Sequence, residues 1–300
     1  MSAAPITTGH PSLNALPMSL PRLHEKKETG EPIVMVTAYD YPSALAAEQA
    51  GVDMVLVGDS AAMVVLGYPS TVPVSTDELI MLTAAVRRGL KTPLLVGDLP
   101  FGSYEASNEQ AVATAQRFVK EAGCDAVKLE GGGTSVERAR AIAAAGIPVM
   151  GHVGLTPQTA TSLGGYRAQG RTAGRALQVA RDALALQEAG CFSMVFEAIP
   201  SAVADELMPH IDIPVIGIGA GAATDGQVLV FHDLLGIREG AGARFVKRYA
   251  SLLDEMVAGV AQYAHDVRSK AYPQAEHTYS IDPGEFADFR GELAAEITAS

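Results

Sequence analysis

The chain has 300 residues, 48% hydrophobic and 19% charged, with a formal net charge of −12. That length and balance suit one large α/β barrel or two ordinary domains with ample core material. The negative field repels phosphodiester backbones, which sets aside a general nucleic-acid binder, and no apolar run of about 18 residues free of charges and turn residues offers a membrane-spanning helix.

The first segment, "MSAAPITTGHPSLNALPMSLPRLHEKKETG", lacks a basic stretch followed by an apolar core, so it does not read as a secretory signal. Its Pro, Ser and Thr content predicts a flexible arm over residues 1–21. Strands are then expected at 33–39, 54–59, 93–98, 126–130, 148–153, 193–197 and 214–218, with a weaker one at 244–248. Four of these follow an Ala-Gly pair, at "AGVDMVLVGD", "AGCDAVKLEG", "AGIPVMGHVG" and "AGCFSMVFEA". Glycine ends a helix well because it enters the left-handed region without a Cβ clash. The strands are near-continuous apolar runs, as parallel strands covered on both faces require.

The segments between them read as helices. Ala111, Ala115, Phe118 and Val119 fall on one helical face. Ser75 with Glu78, Ser107 with Gln110 and Thr134 with Glu137 have the spacing of capping boxes. Eight strand-helix alternations predict a (β/α)8 TIM barrel: a single catalytic barrel over 22–280, with a C-terminal tail at 281–300. An open doubly wound sheet is the alternative, weakened because no G-x-G-x-x-G follows the first strand. The Gly-rich "VIGIGAGAATDGQ" (215–227) is a weak phosphate-cradle signal; it serves equally as close backbone clearance. Cys124 and Cys191 form no disulfide or metal framework, and a reducing cytoplasm fits them.

Charges gather at the strand ends. Asp59, Asp98, Glu130, His152 and Glu197 each lie near the C-terminal end of an expected strand, and Lys128 precedes Glu130 by two. In a parallel barrel those ends meet on one face, where barrel enzymes do their chemistry. Side-chain alternation then places Val57 and Val55 beneath Asp59, Val96 and Leu94 beneath Asp98, and Val195 beneath Glu197. Lys128 and Glu130 share the inner face, with Val127 and Leu129 turned to the helices. Four carboxylates against one lysine leave an excess of buried negative charge. A hard divalent cation such as Mg²⁺, held directly or through water by Asp59, Asp98 and Glu130, would offset it. Lys128 would then face a substrate anion, and Glu197 would be free to move a proton. Each group also has a plain structural reading. A single Asp can be a helix cap or turn residue, Lys128 and Glu130 a structural ion pair, His152 a loop hydrogen-bonder, and Glu197 the partner of an arginine.

The strings "VGDSAAMVVLGYPSTVPVS", "GDLPFGSY", "VKLEGG", "VMGHVGLTPQ", "LGGYRAQGR", "FEAIP", "IGIGAGAATDGQVLVFHDLLG" and "RFVKRYA" together resemble the 3-methyl-2-oxobutanoate hydroxymethyltransferase (ketopantoate hydroxymethyltransferase) family, over residues 22–280. The resemblance implies a TIM barrel of the phosphoenolpyruvate/pyruvate-type superfamily. It implies transfer of a one-carbon unit from 5,10-methylenetetrahydrofolate to 3-methyl-2-oxobutanoate, giving 2-dehydropantoate, the first committed step of pantothenate synthesis. Carried over by motif, the Mg²⁺ carboxylates are Asp59, Asp98 and Glu130, with one ion per subunit. The 2-oxo acid contacts are Asp59, Ser60, Asp98 and Lys128, the proton acceptor is Glu197, and His152 is an active-site histidine. A cytoplasmic homodecamer built from pentamer rings is implied as well. Two departures stand out: Ala61-Ala62 where the family usually has a bulky residue and Gly, and the small residues of "TATSLGGY". Three other readings stay open. One is a Schiff-base aldolase using Lys128, which the neighbouring Glu130 disfavours. Another is a Mg²⁺-dependent C–C lyase, whose expected cysteine loop is absent. The third is a barrel that only binds a metabolite or a partner.

Overall fold

The computed structural model describes residues 16–238, 240 and 242–299. They fall into two compact units, one ending at Ala250 and the other beginning at Ser251. The expected arm lies outside the described residues up to residue 15.

The first unit opens with helix α1 (Leu20–Thr29), which starts inside the stretch expected as an arm. Pro21 suits the first turn, and Gly30 ends the helix at φ 70°. Strand β1 (Ile33–Thr37) follows, then α2 (Tyr41–Ala50), β2 (Met54–Val57), α3 (Ala61–Val64), α4 (Thr76–Gly89) and β3 (Leu94–Asp98). Next come α5 (Asn108–Arg117), which widens into a π-type turn at Phe118–Ala122, then β4 (Ala126–Lys128), α6 (Thr134–Ala144) and β5 (Val149–Gly154). The unit continues with α7 (Ala173–Glu188), β6 (Ser193–Glu197), α8 (Ser201–Leu207), β7 (Val215–Ile218), β8 (Gly226–Leu229) and α9 (Phe231–Leu234). The eight strands close in sequence order into a barrel. Every pairing is parallel, and the seam is Ile33 against Gly226.

Two apolar layers hold the barrel. Met35, Met54, Leu56, Val96, Met150, Val195, Ile216 and Val228 fill the interior. Val55, Val57, Leu95, Val127, Leu129 and Phe196 face the surrounding helices. This corrects the expected parity at β2. Val55 and Val57 point outward, whereas Met54 and Leu56 line the interior. Asp59 lies two residues beyond the end of β2 and reaches the mouth from a turn, so strand alternation does not govern it.

Helix α1 closes the floor. Leu23 is fully buried in the interior cluster. Lys26 reaches Asp53 at 3.1 Å and Lys27 reaches Asp225 at 2.9 Å. Met18 N–H donates to the Thr92 carbonyl at 2.7 Å. Asp53, Thr92 and Asp225 each sit just before a strand, so all three latches are at the end opposite the mouth.

The last strand is not where the sequence places it. β8 occupies 226–229, and 244–248 form no strand. The ladder is already closed by β8 against β1, and "RFVKR" offers only two apolar residues between charges. β7 passes to β8 through residues 219–225 without a helix, contrary to the expected alternation. Positive φ at Gly219 and Gly221 lets this short crossing fold down the barrel side. Gln227 Nε2 tethers it by donating to the Gly221 carbonyl and to Thr224 Oγ1, each at 2.9 Å.

The helix starts follow the expected chemistry in part. Ser75 and Glu78 form a reciprocal capping box. Ser107 caps Gln110 N–H, while the Gln110 side chain accepts from Ala106 N–H instead. Thr134 is no cap; Gly133 precedes the helix at φ 59°, and Thr134 is its first residue.

The second unit holds α10 (Leu252–Ser269) and α11 (Pro283–Ala299). Tyr272 sits between Tyr263 and His277, with ring centroids 5.7 and 5.0 Å away. The barrel expected to run to 280 therefore ends as a compact unit at Ala250, and most of the expected tail is helical. Residues 252–269 are helical, but with no strand at 244–248 they do not complete a strand-helix pair.

Gly97 couples the helical shell to the mouth. A Cβ there would lie 2.6 Å from the Phe118 ring, one residue before Asp98. Gly97→Ala is expected to cost about 1–3 kcal/mol by overpacking. Urea denaturation checks this, through a lower midpoint at unchanged slope.

Candidate active site

Six ionisable groups converge at the C-terminal mouth. Asp98 and Glu197 end β3 and β6, Lys128 ends β4, and His152 lies within β5. Glu130 follows Lys128 by two residues, and Asp59 comes from the turn after β2. Asp59, Asp98, Lys128, Glu130 and His152 are all at most 4% exposed. The Glu197 side chain is 15% exposed, on the solvent side of the cluster.

Lys128 Nζ lies 2.8 Å from Asp98 Oδ1 and 3.6 Å from Glu130 Oε1. Its nearer partner is therefore Asp98, across the neighbouring strand, rather than the Glu130 that the sequence spacing suggests. His152 bridges two carboxylates: Nδ1 is 3.4 Å from Glu130 Oε1, and Nε2 is 3.2 Å from Glu197 Oε2. Asp59 N–H donates to Asp98 Oδ2 at 2.9 Å. Gln158 N–H donates to Glu130 Oε2 at 3.0 Å. Gln158 is held in turn by the Tyr104 hydroxyl, which donates to Gln158 Oε1 at 2.8 Å, and by the Leu99 carbonyl, which accepts from its Nε2 at 2.9 Å. Ser60 Oγ and the Tyr39 hydroxyl are 2.7 Å apart.

The electrostatics follow from burial and crowding. Burial raises the Asp59 carboxyl well above the usual range, and the charges of Asp98 and Glu130 push it further. Burial also raises Asp98, against the opposing pull of Lys128. Burial works against a charged Glu130, but Lys128 and His152 prevail and its carboxyl is lowered. For Lys128, burial favours the neutral amine; Asp98, Glu130 and Asp59 outweigh it and hold the ammonium. Burial and Lys128 oppose a charged His152, yet its bonds to Glu130 and Glu197 push it up to about 9. That direction favours the imidazolium at neutral pH.

All the sequence-expected positions meet in one cavity of about 980 Å³, which Asp59, Ser60, Asp98, Lys128, Glu130, His152 and Glu197 line. Glu197 contacts the histidine rather than an arginine. Sequence reasoning did not single out Tyr39, Tyr104 or Gln158. Tyr104 and Gln158 end the quoted strings "GDLPFGSY" and "VGLTPQ", so their signal was motif position alone. Ala61 and Ala62, the departure after Ser60, are fully buried against the core, away from the cavity lining. Cys124 and Cys191 pack on the helix side of the barrel, and burial pushes both thiols up to about 12.

A closed parallel barrel with its ionisable groups on the C-terminal rim is the architecture of a barrel enzyme. The fold is similar to that of solved structures described as PEP mutase/isocitrate lyase superfamily members. A solved 2,3-dimethylmalate lyase of that superfamily matches with a TM-score of 0.57 at 14% identity, over 95% of this chain and 100% of its own. A phosphonopyruvate hydrolase matches with a TM-score of 0.57 at 12% identity, over 93% and 97%. The particular family comes from sequence. The ketopantoate hydroxymethyltransferase model matches residues 17–275. The 3-methyl-2-oxobutanoate hydroxymethyltransferase of Moorella thermoacetica is 53% identical over 87% of this chain and 97% of its own. Its mitochondrial counterpart from Arabidopsis thaliana is 50% identical over 92% and 82%. The chain belongs to the ketopantoate hydroxymethyltransferase family.

Asp59 is the carboxylate most at odds with its surroundings. Asp59→Asn keeps the shape and removes a carboxyl whose ionisation is opposed by burial and by Asp98 and Glu130. Measured with chelator and without substrate at neutral pH, the variant is expected to be more stable by about 1–2 kcal/mol. A thermal unfolding midpoint below that of the parent would contradict the charge-crowding account.

Proposed function

We propose that the chain transfers a hydroxymethyl unit from 5,10-methylenetetrahydrofolate to 3-methyl-2-oxobutanoate, giving 2-dehydropantoate, the first step of pantothenate synthesis. One observation carries the chemistry: Glu197 stands across an imidazolium from a buried, over-anionic cluster. Family membership supplies the substrates.

The cluster suits a hard divalent cation. Four carboxyl groups face only Lys128 and His152, and crowding with burial raises Asp59 and Asp98 against ionisation, so a cation would relieve the cluster. Asp59 Oδ2 and Glu130 Oε1 are buried and accept no hydrogen bond, and Asp98 Oδ1 meets only the Lys128 ammonium. Among the described residues no three Asp, Glu, His or Cys side chains come close enough to hold a metal alone. That arrangement fits Mg²⁺, which keeps waters and takes substrate oxygens alongside one or two carboxylates. The solved phosphonopyruvate hydrolase of the same fold is described with oxalate and Mg²⁺. The residues that would hold the ion here, directly or through water, are Asp59, Asp98 and Glu130, and the chemistry it would supply when bound is Lewis-acid withdrawal of charge from the substrate keto oxygen.

The side chains do the rest. Lys128, kept protonated, offers a point charge to the substrate carboxylate or the developing enolate oxygen. Ser60 Oγ, oriented by Tyr39, adds a hydroxyl at the same rim. Glu197 takes the C3 proton, and the ion pair with His152 Nε2 at 3.2 Å holds the carboxylate that does so. C3 of the resulting enolate attacks the methylene carbon. Overall one water is consumed: its hydroxyl goes to the new hydroxymethyl group, and its proton joins the C3 proton on the released tetrahydrofolate. A Schiff base on Lys128 is disfavoured, because it needs a neutral amine where three carboxylates hold an ammonium. The buried thiols fit a reducing compartment, and we place the enzyme in the cytoplasm as a homodecamer, as its family suggests.

The test is proton exchange in D₂O without folate. With Mg²⁺ present, the C3 proton of 3-methyl-2-oxobutanoate is expected to exchange, as followed by NMR. EDTA is expected to abolish this, and Glu197→Gln to slow it by about 100-fold or more. Exchange indifferent to both changes would remove the metal and base assignments.

A further inference from the structure

The cavity is far larger than its charged floor requires. A five-carbon 2-oxo acid occupies a small part of about 980 Å³, a volume in the range that encloses drug-sized ligands. The outer part has a different character from the floor. Tyr166 and Phe245 line it, and Tyr166 is 53% exposed. The Phe245 ring lies over the end of β7, where a Cβ on Gly219 would come within 2.5 Å of it, so the glycine is what admits the ring. Arg167, Arg238 and Arg244 also line the cavity. Arg238 is committed to Asp233 at 3.3 Å. Arg167 and Arg244 are exposed, and neither has an acidic partner among the described residues. Arg167 comes from the loop after β5, and Arg244 from the segment after α9. Two uncommitted guanidinium groups thus share the entrance to an anionic floor, in a chain of net charge −12.

Taking the folate reading above as given, we infer that Arg167 and Arg244 form the subsite for the carboxylates of the folate glutamyl tail, with Tyr166 and Phe245 presenting ring faces to the flat part of the molecule. The tail carries two carboxylates, and a guanidinium fork matches a carboxylate bidentately. An anionic ligand would otherwise be repelled by the floor, so cations at the rim solve an approach problem as well as a binding one. The aromatic faces suit a planar heteroaromatic ring.

The experiment measures equilibrium binding, by calorimetry, of tetrahydrofolate and of 6-methyltetrahydropterin, which has no glutamyl tail. It compares the parent protein with the Arg167→Gln, Arg244→Gln double variant. The double variant is expected to bind tetrahydrofolate about tenfold or more weakly, with pterin affinity unchanged. Arg→Lys at both positions is expected to recover part of the loss. Unchanged tetrahydrofolate affinity, or an equal loss for the tailless pterin, would overturn the subsite. The parent protein's proton exchange in D₂O uses no folate, so failure there strikes the Glu197 mechanism while this result strikes only the tail subsite.

Discussion

The organising constraint is the burial of excess negative charge at one end of a closed barrel. Asp59, Asp98, Glu130 and Glu197 lie within the reach of one lysine and one histidine. Buried charge costs several kcal/mol per ion unless it is paired and hydrogen-bonded. The chain offsets what it can from within. Lys128 serves Asp98 first and Glu130 second, His152 favours its protonated form, and the backbone amides of residues 59 and 158 donate to the second oxygens of Asp98 and Glu130. What remains is negative charge on oxygens without donors. It can be satisfied by a hard cation together with an anionic substrate that brings its own oxygens.

The rest of the barrel keeps that cluster in place. Strain from converging carboxylates would be relieved if the strand ends could splay. Parallel pairing around the full circle denies them that freedom, and α1 seals the opposite end with Leu23 and two lysine latches. Near the site, small residues let backbone and ring come close. Gly97 admits Phe118 behind Asp98. Gly154, at φ 99°, admits the Glu197 carbonyl at a distance no Cβ would allow. Helix packing outside and charge placement inside are thus set by the same residues.

The sequence made much of this legible where strand alternation governs. Lys128 and Glu130 on one face, with Val127 and Leu129 on the other, follow from a period of two, and the structure places them so. The same rule misplaced Val55 and Val57, because Asp59 lies past the end of β2 in a turn, where alternation no longer applies. The final strand was misassigned for a related reason. β8 is four residues with one glycine and one glutamine, too short and too polar to rival "RFVKR" by pattern, and the crossing to it has no helix to mark it. Partner choice was the least legible. Nothing in the spacing says that Lys128 prefers Asp98 to Glu130, or that Gln158 completes Glu130. Both depend on register between β3 and β4 and on the loop after β5.

The same register explains how like residues come to do unlike work. Asp98 sits opposite Lys128 in the ladder, so its charge is answered by its neighbour on the next strand. Glu197 is two strands beyond Lys128, opposite Gly154, and the group nearest it is His152 from β5. It is also the carboxylate of the cluster with measurable exposure to the cavity. A carboxylate buried against a lysine is committed to holding charge. A carboxylate at the cavity wall, oriented by an imidazolium, can meet a C–H bond. Strand position sets these different surroundings, and the cavity lining also bears the exposed Arg167 and Arg244, opposite in sign to the carboxylates of the floor. On the proposed reading, a small acid bound deep and a larger anion bound outside would meet different fields within one cavity, which would order them along the barrel axis.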